Sequence, residues 1–309
     1  LKYINLGDTN WQVSAVAFGT WRMHSGNNVS LDQAMKALEA AYDCGINFID
    51  SSDVYGRGES EKLLGQALRN SSIKREDVFI QTKGGIIPHQ RYDFSKEHLL
   101  NAVDDSLQRL GLDYLDAYVL HRPDPLMEPD EVADAFDQMQ REGKVRHFGV
   151  SNFNTQQFLL LQESLDQKLL VNQLEFGLKH TGMIDHGIHS NMSDERSIDH
   201  DGEFLEFARR MGVTIQAWSP FQLSNYGGLF INNPDYPELN QALQKLADKY
   251  QVSKNAIALA WILRHPASFQ VLIGSMNPEH IVDNAQGADI QLTRQEWYDL
   301  YKAAGNDLP

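Results

Sequence analysis

The sequence predicts an α/β fold: one (β/α)8 TIM barrel with an N-terminal hairpin and extra C-terminal helices. Three observations predict it. Strand-sized apolar runs alternate with helical patterns and short connections, the mark of a parallel sheet with crossover helices. Successive strand ends fall 33 residues apart from Asp50 to Lys83, 38 from Lys83 to His121 and 29 from His121 to Val150. That is close to the roughly 30 residues per unit of an eight-unit barrel. The 309 residues carry no linker or composition break, so residues 1–309 read as one domain.

In chain order, Tyr3–Asn5 and Trp11–Val13 flank Gly7–Asp8 as a hairpin. Val16–Phe18 is the first barrel strand, broken by Gly19–Thr20–Trp21. Leu31 to Tyr42 has apolar residues at helical spacing, opened by Ser30 as N-cap. Ile46 to Asp50 is the second strand, and Glu59 to Leu68 its helix. Val78 to Thr82 is the third, followed by a polar loop from Gly84 to Asp93. Ser95 caps a helix that stops at Gly111. Ala117–Leu120, Val145–Val150 and Leu169–Leu174 are the next strands, with helices from Pro129 to Arg141 and Thr155 to Leu165 between them. Glu175 to Asp201 is a long polar insertion, then a helix from Gly202 to Met211 and the seventh strand, Val213 to Trp218. A Gly/Asn-rich loop from Pro220 to Pro237 leads to helices Glu238–Tyr250 and Ser253–His265. Val271–Ile273 is the eighth strand, with helices Pro278–Gln286 and Thr293–Ala304 after it. The three long loops all follow strands, on the face where such a barrel carries its chemistry.

Composition narrows the partners. A net charge of −15 argues against nucleic acid and anionic membrane surfaces, and no apolar run is long enough to span a bilayer. One cysteine, Cys44, rules out an internal disulfide framework. No apolar stretch of the signal-peptide kind follows Lys2, so the expected location is cytoplasmic. Oligomeric state is not legible.

The second, third and fourth strands each run into one ionisable group, Asp50, Lys83 and His121, with Tyr55 five residues beyond Asp50. In a closed parallel barrel these converge at one mouth. A free phenol has a pKa near ~10, too high to relay protons well at neutral pH. A lysine beside it favours the phenolate, and an aspartate keeps that lysine charged and fixed. A histidine can polarise a substrate oxygen. The set can protonate an oxygen that is becoming an alkoxide. It has neither an acyl nucleophile nor metal-ligand spacing, so a cofactor must supply the chemistry that proton donation leaves undone.

The stretches NFIDSSDVYG, FIQTKGG, YVLHRPD, GVSNF, VNQLEF, QAWSPF and LIGSMNPEHIVDN, in this order, resemble the aldo-keto reductases. HRPDPLMEPDEVADAF and GKVRHFGVSNF are especially similar to a bacterial oxidoreductase branch. The resemblance implies NAD(P)H-dependent reduction of an aldehyde or ketone by a barrel that binds NADP(H) or NAD(H) without a Rossmann domain. It implies a tetrad of Asp50, Tyr55, Lys83 and His121, with Tyr55 as general acid. It assigns Thr20 and Trp21 to cofactor binding, Ser151, Asn152 and Gln173 to the nicotinamide carboxamide, and Trp218 to its ring. Ser219 and Phe221 face the pyrophosphate. Ser275, His280 and Asn284 meet the adenosine end, and Ile273, Gly274 and Asn277 are further cofactor-binding residues. Asn277 and His280 stand where basic residues are common, so a weak preference for NADPH over NADH is expected, growing in acid as His280 charges.

Taken singly, these residues also have structural readings. Asp50 could be a strand-end cap, Lys83 or His121 a solvated terminus, Tyr55 or Trp218 a packed aromatic, and Ser151–Asn152 a helix cap. Gly56–Arg57–Gly58 reads as a turn rather than a dinucleotide fingerprint, because Glu61 stands at the third position. His180, Asp185, His186, His189, Asp199, His200 and Asp201 lack a paired metalloprotease motif, and no metal is expected. Two other functions compete: a redox-sensing regulatory subunit with slow turnover, and a glycosidase using Asp50 and Asp53. The second is weak, because two carboxylates three residues apart on one loop do not flank a sugar bond.

Overall fold

The computed structural model describes residues 1–223 and 227–309; Ser224, Asn225 and Tyr226 of the Gly/Asn-rich loop lie outside the described residues. The chain opens with the expected hairpin, β1 (Tyr3–Asn5) against β2 (Gln12–Ser14). The barrel strands are β3 (Val16–Gly19), β4 (Phe48–Asp50) and β5 (Phe79–Gly84), then, after a small antiparallel pair of β6 (Ile86–Ile87) and β7 (Arg91–Tyr92), β8 (Leu115–Leu120), β9 (Val145–Ser151), β10 (Leu169–Glu175), β11 (Thr214–Trp218) and β12 (Phe269–Ile273). These eight barrel strands pair in parallel in that order, and β12 closes onto β3 through Val271–Val16 and Ile273–Phe18.

The helices that cover the strands are α1 (Leu31–Asp43), α2 (Glu59–Asn70), α3 (Lys96–Leu110), α4 (Pro129–Arg141) and α5 (Thr155–Gln162) in the first half. The second half adds α6 (Gly182–Ile188), α7 (Phe204–Met211), α8 (Pro237–Tyr250), α9 (Lys254–Arg264), α10 (Pro278–Ala285) and α11 (Arg294–Ala303). Local signals start and stop them as expected. Ser30 accepts from the Gln33 amide at 3.2 Å and Ser95 from the His98 amide at 3.3 Å. Gly111 ends α3 at φ 66°, a left-handed position that suits glycine.

Three expectations need correction. The stretch from Gly84 to Asp93 is not a plain loop, because Ile86 and Ile87 pair with Tyr92 and Arg91. The insertion from Glu175 to Asp201 contains α6, whose Met183 and Ile184 are buried. The second strand starts at Phe48 rather than Ile46, and Asn47 before it ties the chain to Ser14 at the end of β2. Its Oδ1 accepts from the Ser14 amide at 2.8 Å, and its own amide donates to Ser14 Oγ at 3.1 Å.

The hairpin decides which mouth stays open. Leu6 and Val13 pack with Ala17, Phe48, Val119, Leu170 and Leu272 inside the barrel's N-terminal end. The Gly7 amide donates to Thr214 Oγ1 at 2.9 Å, at the start of β11. Apolar side chains therefore plug the N-terminal mouth, and the strand exits at the other end are free to carry chemistry.

Candidate active site

The strand exits converge as the barrel requires. Asp50 closes β4 and Lys83 lies one residue before the end of β5. Lys83 is fully buried; its Nζ donates to Asp50 Oδ2 at 2.6 Å and to the Ser51 carbonyl at 2.7 Å. It also hydrogen-bonds Tyr55, whose ring centroid is 5.0 Å from Nζ. Loss of hydration by itself would lower the lysine's pKa, but Asp50 and then Tyr55, by charge and hydrogen bond, hold it above the ordinary value. The ammonium is thus permanently charged beside the phenol. Tyr55 sits at a tight turn that carries Gly56 at φ 55° and Arg57 at φ 58°, which re-aims the chain into α2. A Cβ at Gly56 would stand 2.7 Å from His24 Cβ, so the turn tolerates only glycine there. This is the role of the Gly-Arg-Gly run. Glu61, at its supposed third position, is buried and bonded to Arg109 Nε at 2.6 Å and Thr82 Oγ1 at 2.5 Å.

His121 follows β8 and meets the Tyr55 ring edge to face, centroids 5.8 Å apart. Burial first, then Lys83 and Arg122, push its pKa well below the usual histidine range. The ring is therefore neutral at pH 7.

Beneath the site lies a layer of side chains that the sequence reading missed. Gln81 Nε2 donates to Asp50 Oδ1 at 2.7 Å and to Gln216 Oε1 at 2.8 Å. Gln216 in turn donates to Gln270 Oε1 at 2.9 Å, and Gln270 to the Ser14 carbonyl at 2.8 Å. All three glutamines are fully buried. The chain of amides ties Asp50 to the barrel floor and satisfies its second oxygen. The available signal was a glutamine inside each of three apolar strands, where an exposed face is not expected.

A cleft opens above this layer. Of the expected residues, Trp21, Asp50, Tyr55, His121, Ser151, Asn152, Gln173, Trp218, Ser219, Phe221, Ile273 and Gly274 line it. Lys83 lies below them, and Thr20 is buried behind, donating to Ser51 Oγ at 2.8 Å. Ser275, Asn277, His280 and Asn284 are not in the cleft wall; they cluster at α10, where Asn277 Oδ1 caps the Glu279 amide at 2.9 Å and His280 is exposed. Gln173 spends its amide on Asp50 Oδ1 at 3.1 Å and Gln216 Oε1 at 3.1 Å. Ser151 and Asn152 do not cap α5, because Asn154 and Gln157 form its capping box. Asn152 instead accepts from the Trp218 indole at 3.3 Å and holds a left-handed backbone at φ 62°. Arg22 and Arg122 also line the cleft and escaped the sequence reading, although each directly follows a residue already singled out. From the polar run, the fold brings His186, Asp199 and Asp201 within 4.8 Å of one another. The two aspartates there cap the turn into α7, Asp199 accepting from the amides of Asp201, Gly202 and Glu203 and Asp201 from that of Phe204.

The residues present suit a dinucleotide. The strand-eight exit is bare at Gly274, where a Cβ would stand 3.2 Å from Arg22 Nη1. The half-buried Arg22 guanidinium has its pKa lowered by burial and bonds the Gly274 carbonyl at 3.3 Å, which leaves most of its donors for an anion. Trp218 offers a flat wall. Among the described residues, no helix is long and apolar enough to cross a membrane.

Comparison with known proteins agrees with this geometry. The profile of the Aldo/keto reductase family matches residues 15–304. The chain is 35% identical to a 6-dehydroglucose reductase of Novosphingobium aromaticivorans, over 98% of this chain and 96% of that protein. It is 33% identical to oxidoreductase YdhF of Escherichia coli, over the whole of both. An aldo/keto reductase from Klebsiella pneumoniae, solved in complex with NADP and acetate, superposes with a TM-score of 0.77 at 26% identity, over 97% of this chain and 94% of that one. A closed eight-stranded parallel barrel, its tetrad of side chains at the C-terminal mouth and these matches converge on one conclusion: the chain belongs to the aldo/keto reductase family.

Proposed function

We propose that the protein reduces an aldehyde or ketone to an alcohol, using NADP(H) or NAD(H), with Tyr55 as the proton donor. The observation that carries this reading is the buried Asp50–Lys83 pair, 2.6 Å apart, set directly behind the Tyr55 phenol at the floor of the cleft. A bound nicotinamide would supply the hydride. The protein's own part is proton transfer and charge stabilisation. Tyr55 donates its hydroxyl proton to the carbonyl oxygen as that oxygen gains charge. Lys83 stabilises the phenolate left behind, and Asp50 keeps the ammonium in place. Neutral His121 lends the same oxygen a hydrogen bond. Asn152 and Trp218, joined by their 3.3 Å bond, would hold the nicotinamide end, and Arg22 a phosphate. The test is NADPH consumption with a panel of aldehydes, in the native protein and in Tyr55→Phe. The variant should lose about 10²–10⁴-fold in turnover while still binding cofactor. Near-native turnover by Tyr55→Phe would remove it from the acid role, and no turnover by the native protein on any aldehyde would favour the regulatory reading.

A further inference from the structure

We propose that Ser52 positions His121 by setting its ring tautomer, and that Asp53 reverses this setting when it ionises. The proposal rests on the carbonyl-reduction reading, in which His121 must present an N–H to the substrate oxygen. Ser52 is fully buried, and its Oγ lies 3.0 Å from His121 Nδ1 and 3.3 Å from Asp53 Oδ1. The other neighbours of Oγ are the Lys83 carbonyl at 3.4 Å and the Val54 amide at 3.4 Å.

A hydroxyl has one proton and a neutral imidazole has one N–H. If Ser52 donates to Nδ1, the ring proton sits on Nε2, the nitrogen left for the cleft. If Ser52 donates to Asp53, Nδ1–H must donate to Oγ, and Nε2 is a bare acceptor. Only the first arrangement can support an oxygen that is gaining negative charge. A protonated Asp53 can donate to Oγ, so the chain runs from Asp53 to Ser52 to Nδ1. An ionised Asp53 can only accept, so the chain runs the other way. One proton leaves for solvent in this change, and the ring proton moves from Nε2 to Nδ1 by exchange.

The surroundings of Asp53 allow both states. Glu61 from α2 faces it with negative charge, Arg109 from α3 with positive charge, and the Tyr118 hydroxyl from β8 is a buried group with no hydrogen-bond partner. Tyr118 Oη and Asp53 Oδ2 both crowd the Cβ-less face of Gly84, 2.1 and 3.1 Å from where a Cβ there would be, so the two groups are held close to the same glycine. Lys83, Arg122 and the Tyr55 ring face His121 on its other sides. Desolvation first, then Glu61, raise the Asp53 carboxyl from 3.8 to about 7. Both directions of the chain are then populated near neutral pH.

The experiment is ring 15N NMR of the full chain labelled at histidine, with and without NADP+, from pH 6 to pH 8.5. The His121 signal is assigned by its loss in His121→Asn. The native ring should be protonated at Nε2 at pH 6 and shift toward Nδ1 by pH 8.5. Asp53→Asn should abolish the pH dependence, Ser52→Ala should abolish it too, and Ser52→Thr should restore it. In kinetics, Ser52→Ala should lose about tenfold in kcat with little change in KM, one hydrogen bond's worth. A native tautomer that does not change with pH, or one that changes equally in Ser52→Ala, overturns the proposal. Because the NMR needs no turnover, it separates failure here from failure of the carbonyl-reduction reading.

Discussion

Lys83→Met should cost stability as well as activity, and a second substitution should return only the stability. In the native protein Asp50 receives the ammonium at 2.6 Å on Oδ2 and two neutral amides, from Gln81 at 2.7 Å and Gln173 at 3.1 Å, on Oδ1. Methionine fills the volume but leaves a carboxylate that is 1% exposed with no cation. Breaking a buried pair from one side costs roughly 3–5 kcal/mol. The Ser51 carbonyl also loses its 2.7 Å donor, about 1 kcal/mol more. At ~2–4 °C per kcal/mol for a domain of this order, the melting temperature should fall by about 10 °C or more. Asp50→Asn combined with Lys83→Met removes the uncompensated charge and keeps an acceptor for Gln81 and Gln173. The double variant should therefore be more stable than Lys83→Met alone, with a coupling of several kcal/mol in the cycle. Turnover should stay lost, because Tyr55 still has no cation behind it. Thermal unfolding followed by near-UV circular dichroism, beside NADPH oxidation, measures both. Additive losses in the double variant would refute the reasoning, since the two groups would then not act as a buried pair.

Cofactor binding should quench Trp218, which lines the cleft, and Trp218→Tyr should keep binding; a quench unchanged in that variant would place the responsive indole elsewhere. Dissociation constants should show only a weak preference for NADPH over NADH, because Asn277, at the start of α10, is spent capping the Glu279 amide and offers a phosphate no charge; tighter binding of NADH would reverse this assignment. Asp53, raised to about 7 by desolvation and Glu61, favours the fold when protonated, so its contribution is full below the unfolded value of 3.8 and is lost as pH rises through about 7. Asp53→Asn should thus gain stability relative to the native chain between those limits, by at most ~4 kcal/mol, and a flat difference in urea midpoints from pH 4 to pH 8 would contradict it.

Much of this protein was legible in the sequence because its signals are local. A strand's exit is set by the direction of the chain, so Asp50, Lys83 and His121 could be placed at one mouth once the strands were read as parallel neighbours. Ser30, Ser95 and Gly111 act within one helical turn, and each does what its type dictates. Barrel closure decided the rest. The bond between Gln81 and Gln216 spans 135 residues of chain, and that from Gln270 to Ser14 spans 256. No local pattern specifies such partners; they depend on the stagger with which eight strands meet. The same closure turned Ser52 and Asp53 inward, one toward His121 and the other toward Glu61, Arg109 and Tyr118. In the sequence they are two polar residues after a strand, no different from a turn. Only when β4, β5 and β8 lie side by side does a buried hydroxyl come within 3.0 Å of an imidazole 69 residues away. Hydrogen bonds reach about 3 Å, so the pattern of residue types can name the strands but not the atoms that face each other across them.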